Sequence, residues 1–277
     1  MEFSKIFGKA FRYPLNLKLF FILFVFSFCI TIPTMIYMPT QGLETFSVSE
    51  IKAFFGFLVP LWLVSFFVGN FLAAFYFDSA SRYSSKMKYG KLKDSFETTK
   101  KRYLPLLATQ ILFFIILGIV FLVFGGFSML SFYMVLPSIF LVGIFIGVLA
   151  IVVVAFFLFF CPVACVLDKL GPVDSLKTSF KFVKVNKINT FVFCLILFIV
   201  VFFIGLLGSF PSTLYYITTG SVTYGLTAEN LLFTIINIIF GAYTGLFAYS
   251  AQVNYYHYLK KETKFISKMT VKKKKIN

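Results

Sequence analysis

Between Tyr103 and Leu167 the chain runs for 65 residues without an Asp, Glu, Lys, Arg or His. As one helix that stretch would extend roughly 100 Å, about three times the ~30 Å hydrocarbon layer of a bilayer. It therefore needs two crossings, and Gly125-Gly126 together with Pro137 are expected to mark the turn between them. Charge-free runs also occupy Leu19–Leu43 and residues 53–77, and two more apolar segments begin near 188 and 229. The pattern predicts an all-α polytopic membrane protein with six transmembrane helices, at about 17–38, 53–77, 104–124, 138–162, 188–209 and 229–255. The first is expected to be a retained helix. Its run is long for a signal peptide, and Pro33-Thr34 offers no small-x-small cleavage site.

Composition agrees with this class. The chain is 60% hydrophobic and only 13% charged, where a soluble domain carries about a quarter. Its +16 formal charge does not point to nucleic acid, because the basic residues stand between apolar runs instead of covering a soluble domain. They are also distributed one-sidedly. The segment to Lys18 holds four, 78–103 eight, 168–187 five and the stretch from Lys260 eight, leaving only Lys52 on the opposite side. By the positive-inside rule both termini are expected in the cytoplasm. The resulting division is a six-helix transmembrane domain over 1–260 and a basic cytoplasmic tail over 261–277 that ends in Lys272–Lys275 and lies near anionic lipid.

Each basic segment carries a helical apolar stripe. Residues 2–13 place Phe3, Ile6, Phe7, Ala10 and Phe11 on one face, and Leu92, Phe96, Thr99 and Tyr103 recur similarly. In 172–187, Gly171-Pro172 begins a helix with Asp174 near its positive end. Leu176, Phe180 and Val183 form its stripe, while Lys177, Lys181, Lys184 and Lys187 lie mainly elsewhere. Such a helix suits a membrane surface, with its lysines toward anionic headgroups. The expected unit is a cytoplasmic amphipathic helix followed by a hairpin of two spans, occurring three times. Ser4, Ser95 and Ser175 are spaced consistently with such a repeat.

Phe-Gly-Lys-Ala-Phe-Arg-Tyr-Pro (7–14), Gly-Pro-Val-Asp-Ser-Leu-Lys-Thr-Ser-Phe-Lys-Phe-Val-Lys-Val-Asn (171–186) and Tyr-Tyr-His-Tyr-Leu-Lys-Lys (255–261) carry a resemblance. They are similar to the matching segments of prokaryotic six-span membrane proteins, including the membrane domain found beside glycerophosphodiester phosphodiesterase domains. The resemblance implies a six-helix bundle in a bacterial or archaeal plasma membrane. It brings no catalytic residues, since the phosphodiesterase chemistry belongs to a separate soluble domain.

The residues themselves offer little chemistry. The predicted spans contain no Asp or Arg, only Lys18 at the first and Glu229 at an outer edge, so proton-coupled transport is disfavoured. Asn70, Gln110, Asn237, Gln252 and Asn254 read as interhelical hydrogen-bond partners. Cys29, Cys161, Cys165 and Cys194 lack zinc spacing and have only His257 as a possible companion, so they read as small hydrophobes. His257, with Tyr255, Tyr256 and Tyr258, suits an interfacial aromatic belt. Gly143-x-x-x-Gly147 and Gly241-x-x-x-Gly245 are candidates for close helix packing. No catalytic, metal or cofactor site is expected. The function expected is a non-catalytic multi-pass protein engaging inner-leaflet lipid or a membrane partner. The alternative is a permease for a lipid or weakly polar molecule.

Overall fold

The computed structural model describes residues 3–36, 48–86, 91–133, 137–219 and 227–274. Among them the chain is helical with no strand, and six helical stretches are long and apolar enough to cross a membrane. This is a multi-pass, all-α membrane protein. The helices are α1 Phe3–Arg12, α2 Leu17–Ile36, α3 Val48–Lys86, α4 Leu92–Tyr133, α5 Pro137–Leu158, α6 Cys161–Leu167, α7 Pro172–Val185, α8 Lys187–Thr219 and α9 Ala228–Lys274. A 3-10 turn, Tyr13–Leu15, links α1 to α2, and Asn16 Oδ1 caps α2 by accepting from the Lys18 and Leu19 amides at 3.1 and 3.3 Å.

Most of the helices are longer than the apolar runs that betray them. α3 carries on through Asp78 to Lys86, and α4 already begins at Leu92. The amphipathic segment 92–103 is thus the first part of α4 and not a separate surface helix. α4 also passes through Gly125 and Gly126, so the pair does not make a turn. α8 passes through Pro211 to Thr219, beyond the expected end at Ser209. In hydrocarbon a broken helix leaves amides and carbonyls without partners, which makes continuation the cheaper course even through Gly or Pro. α9 likewise continues past residue 260 to Lys274, where a tail was expected. The expected loops between the first and second and between the fifth and sixth spans fall largely on residues 37–47 and 220–226, which with 134–136 and Lys275 lie outside the described residues.

The fourth span does break. Phe159 and Phe160 interrupt it, and Cys161-Pro162 restarts it as α6. Pro162 has no amide to offer the preceding turn, which frees a carbonyl there. Ser179 of α7 completes the break: its hydroxyl donates to Phe157 O at 2.8 Å and accepts from Phe160 N at 3.1 Å.

Sequential pairs α4/α5 and α8/α9 pack closely, but α2 rests mainly on α9 and only lightly on α3. The first expected hairpin is therefore not a packed pair. α9 is the common neighbour, touching α1, α2, α3, α6, α7 and α8. The closest approach to it is at Gly208 of α8, where an added Cβ would stand 2.9 Å from Phe240 Cβ and 3.3 Å from Asn237 Oδ1. Gly147 has the same relation to Phe124 Cβ, at 2.9 Å, and Gly143 is buried beside a small apolar void of about 120 Å³ between α4 and α5. Gly245 meets only Leu23 Cδ2, at 3.1 Å, and Gly241 is exposed with nothing within 4 Å. Gly241 therefore makes no close helix packing, and the α8–α9 seam is set by Gly208.

The glycines should separate on substitution by Ala, read as melting temperature in detergent. Gly208→Ala should destabilise by about 1–3 kcal/mol, because Phe240 Cβ cannot rotate away. Gly245→Ala should be milder, since Leu23 Cδ2 is the end of a flexible side chain. Gly241→Ala should be neutral or stabilising by up to about 1 kcal/mol through helix propensity. Equal effects at Gly208 and Gly241 would refute this packing.

Candidate functional site

Four basic stretches far apart in sequence meet at one end of the bundle. Arg82 of α3 bonds Asp78 at 2.7 Å and reaches Thr98 Oγ1 at 3.3 Å and Asp94 at 3.7 Å, all three contacts tying it to its own turn and to the start of α4. Arg102 Nη1 donates to Lys169 O at 3.1 Å, and Lys169 takes a positive φ of 57° in the turn before α7. Asp168 accepts from Tyr256 Oη at 2.7 Å and is ion-paired with Lys260. Lys9 Nζ donates to Ser84 O at 3.3 Å. The core lies under this network. Tyr13, Tyr76, Phe160, Phe193, Tyr255 and Tyr256 are its largest fully buried side chains, with Tyr255 stacked on Phe193 at 4.1 Å and 4° between planes.

Tyr255 and Tyr256 are thus core residues, not members of an interfacial belt. α6 and α7 close over that side of α9, and the Tyr256 hydroxyl finds Asp168 instead of the membrane surface. The same closure accounts for α7. Leu176 and Val183 are buried, Leu176 beside Leu158 and Cys161 and Val183 in the main core, so these two do not face lipid. Ser175, Ser179 and Phe182 share the buried face. What α7 exposes is Val173, Asp174, Lys177, Phe180, Lys181, Lys184 and Val185. Phe180 rests against Phe157 at 4.9 Å while 46% exposed, leaving one aromatic edge among three lysines.

Between α1, α3 and α9 this end opens into a pocket of about 350 Å³. Lys5, Lys9, Ser84, Asn254, His257 and Lys261 are among its lining residues, and no carboxylate is. Each element places its groups by simple spacing. Lys5 and Lys9 are one turn apart on α1, whose opposite side buries Ile6, Phe7 and Ala10. Asn254, His257 and Lys261 follow at i, i+3, i+7 on α9. His257 Nε2 is 3.0 Å from Ser81 Oγ. Asn254 is buried, its Nδ2 held weakly by Ile6 O and Ser250 Oγ at 3.4 Å each, while its Oδ1 has no partner. A neighbouring pocket of about 510 Å³ mixes Arg82, Lys101, Arg102 and Lys169 with Asp94 and Glu97, so carboxylates offset part of its positive charge. Among the described residues, the lining of the α1/α3/α9 pocket is basic without an acidic side chain.

Sequence reasoning marked Asn254 and His257 separately and did not join them to Lys5, Lys9, Ser81, Ser84 or Lys261. The α9 spacing was visible, but the partners come from α1 and α3, and only the fold brings them together. The remaining polar residues are scattered. Asn70 bonds within its own helix, to Phe66 O at 2.8 Å, and Asn237 lies at the Gly208 contact. Cys161 and Cys165 are buried free thiols, Cys194 is partly buried and Cys29 is exposed. Among the described residues no His, Cys, Asp and Glu gather in a metal-binding group.

If Asp168 anchors α9 to the turn before α7, Tyr256→Phe should destabilise the protein by about 1.5–3 kcal/mol, the range for a hydrogen bond to a charged group. Chemical denaturation in detergent would measure it, and Tyr258→Phe is a control whose hydroxyl does not reach Asp168. A Tyr256→Phe protein as stable as its parent would remove Asp168 from this role.

Comparison with curated proteins and with solved structures found no match. The model of the family described as a domain of unknown function, DUF7847, matches residues 91–259, from the start of α4 into the second half of α9. The match takes in most of the chain, and the protein belongs to that family.

Proposed function

We propose that this protein is a non-catalytic integral membrane protein of a prokaryotic plasma membrane, with both termini cytoplasmic, that engages anionic headgroups of the inner leaflet. The single observation carrying the reading is the α1/α3/α9 pocket, where three lysines, a histidine and two serines line one opening with no carboxylate among the described residues that line it. Phosphate-bearing headgroups meet proteins at the depth where basic residues flank spans, and each lysine there contributes about 1 kcal/mol. The exposed Lys177, Lys181 and Lys184 around Phe180 extend the same surface, which suits an interface where rings and ammonium groups sit together. The alternative, a permease, calls for a polar path through the bundle. Among the described residues the polar concavities are at the basic end and at one flank, which favours the first reading.

Two measurements test it. Full-length protein in nanodiscs should gain more thermal stability from phosphatidylglycerol than from phosphatidylcholine, and salt should weaken the difference. Lys5→Ala and Lys261→Ala should each lower phosphatidylglycerol affinity by roughly fivefold, the equivalent of about 1 kcal/mol. An equal response to both lipids would end the proposal. For orientation, single cysteines introduced at Thr219 and Lys273 should label from opposite sides of intact cells or oriented vesicles. Labelling from one side would overturn the placement of the termini.

A further inference from the structure

A second concavity, of about 290 Å³, lies between α3, α4 and α9 and is open along one side. Asn70 of α3, Gln110 of α4 and Tyr249 of α9 line it, with Ser65, Phe66 and Phe114. The three polar residues share a depth. Asn70 is eight residues from Asp78, Gln110 eight from Arg102 and Tyr249 eight from His257, or about 12 Å along each helix from the charged end. They sit inside the apolar part of their spans, well beneath the basic pocket.

Little of their hydrogen-bonding capacity is used. Asn70 Nδ2 and Ser65 Oγ are occupied by carbonyls of their own helix, Phe66 O at 2.8 Å and Leu61 O at 2.7 Å. Among the described residues, nothing bonds Asn70 Oδ1, either end of the Gln110 amide or the Tyr249 hydroxyl. The Tyr249 ring is fixed by stacking on Tyr76 at 5.6 Å and by an edge contact with Phe77 at 5.1 Å, so its position is built into the fold. Asn70 is 8% exposed, and a Cβ added at the neighbouring Gly69 would stand 3.9 Å from the Phe26 ring of α2. Unpaired amides are costly in hydrocarbon and usually turn toward a neighbouring helix. Here they border an opening, and that opening needs an occupant with hydrogen-bonding groups of its own.

The chemistry of the lining selects the occupant. Among the described residues no charged side chain borders the groove, so a phosphate would find no counter-charge from them. Donors (the Gln110 N–H groups and the Tyr249 O–H) and acceptors (Asn70 Oδ1 and Gln110 Oε1) stand together, which matches a hydroxyl beside ester carbonyls. A glyceride lacking a phosphate headgroup is free to settle below the headgroup plane, to the depth of Gln110. We infer that this groove binds the glycerol head of a diacylglycerol, the free hydroxyl and ester carbonyls meeting Gln110, Tyr249 and Asn70 while the acyl chains leave past Phe66 and Phe114 into the bilayer. The site differs from the basic pocket in residues, depth and ligand charge, so either can fail without the other.

The test uses full-length protein in detergent, with thermal shift and native mass spectrometry as readouts and 1,2-dioleoylglycerol as the probe. Triolein, which has the esters without the hydroxyl, and dioleoylphosphatidylcholine, which adds a charged headgroup, are the comparison lipids. Dioleoylglycerol should give a saturable shift that neither comparison lipid gives. Gln110→Leu should lower its affinity by about tenfold, as expected for lost hydrogen bonds to a bound group. The same variant should melt at least as high as the parent without ligand, because it removes an unpaired amide. Tyr249→Phe, which deletes a single oxygen, should weaken binding in the same direction, and both variants should keep the phosphatidylglycerol response. No dioleoylglycerol shift, an equal shift with triolein, or unchanged affinity in both variants would overturn the assignment. So would self-association that Gln110→Leu abolishes in the absence of any lipid response, since a second copy would then be the occupant.

Discussion

Hydrocarbon offers no hydrogen bonds, so every backbone group that enters it must be satisfied by the chain, and this governs the structure more than any side-chain contact. It explains why α4 does not turn at Gly125-Gly126 and why α8 absorbs Pro211. Elsewhere in the spans hydroxyls bond carbonyls of their own helix. Thr109 Oγ1 donates to Pro105 O at 2.8 Å, Ser212 Oγ to Ser209 O at 2.8 Å and Thr244 Oγ1 to Phe240 O at 2.7 Å. The break at Phe159-Phe160 obeys the same rule by a tertiary route. Ser179 takes up Phe157 O and the Phe160 amide just before Pro162, which ties the position of α7 to a backbone requirement of the fourth span.

That requirement also accounts for where packing is concentrated. The main core draws on residues 6–19, 73–83, 160–166, 182–197 and 246–259, all toward the basic end. There the short helices α1, α6 and α7 wedge between the spans and bury Ala10, Val163, Ala164 and Val183 completely. Farther along, the same spans expose Phe121, Leu122, Phe145, Phe198, Phe203 and Leu207. Lipid tails are as apolar as these side chains, so no hydrophobic drive gathers them, and glycine contacts such as Gly147 with Phe124 and Gly208 with Phe240 take over. The protein is held at its charged end and lightly pinned elsewhere.

The number and class of the spans were legible because they depend on the length of uncharged runs, which is a property of sequence alone. Helix ends were not, because partners distant in sequence set them: α3 persists to Lys86 where Arg82 can reach Asp94 and Thr98 at the start of α4. Composition also could not distinguish an aromatic belt from an aromatic core. Tyr255 and Tyr256 have the residue type and position of interfacial tyrosines, and only the closure of α6 and α7 over α9 buries them. The Gly241/Gly245 pair had the right spacing, yet close approach needs a partner surface, and Gly208 had one without belonging to any motif. For α7 the periodicity located the apolar stripe. Whether lipid or protein would cover Leu176 and Val183 was settled by tertiary structure alone.

Depth orders the polar residues of the bundle. Charges can be kept only where water or headgroups solvate them, so Lys5, Lys261 and the α7 lysines stay at the rim. An amide or phenol can be carried farther in, because it costs less to desolvate than an ion, and Asn70, Gln110 and Tyr249 lie about 12 Å below that rim. What each level can hold follows from the same solvation cost. A group recognised at the rim is paired by charge and weakened by salt, whereas one recognised in the groove must be neutral and is matched by the direction of its hydrogen bonds. Under the two proposals made above, a bundle with both levels in one leaflet would distinguish a lipid that keeps its phosphate from one that has lost it, by the depth at which the polar part of the molecule comes to rest.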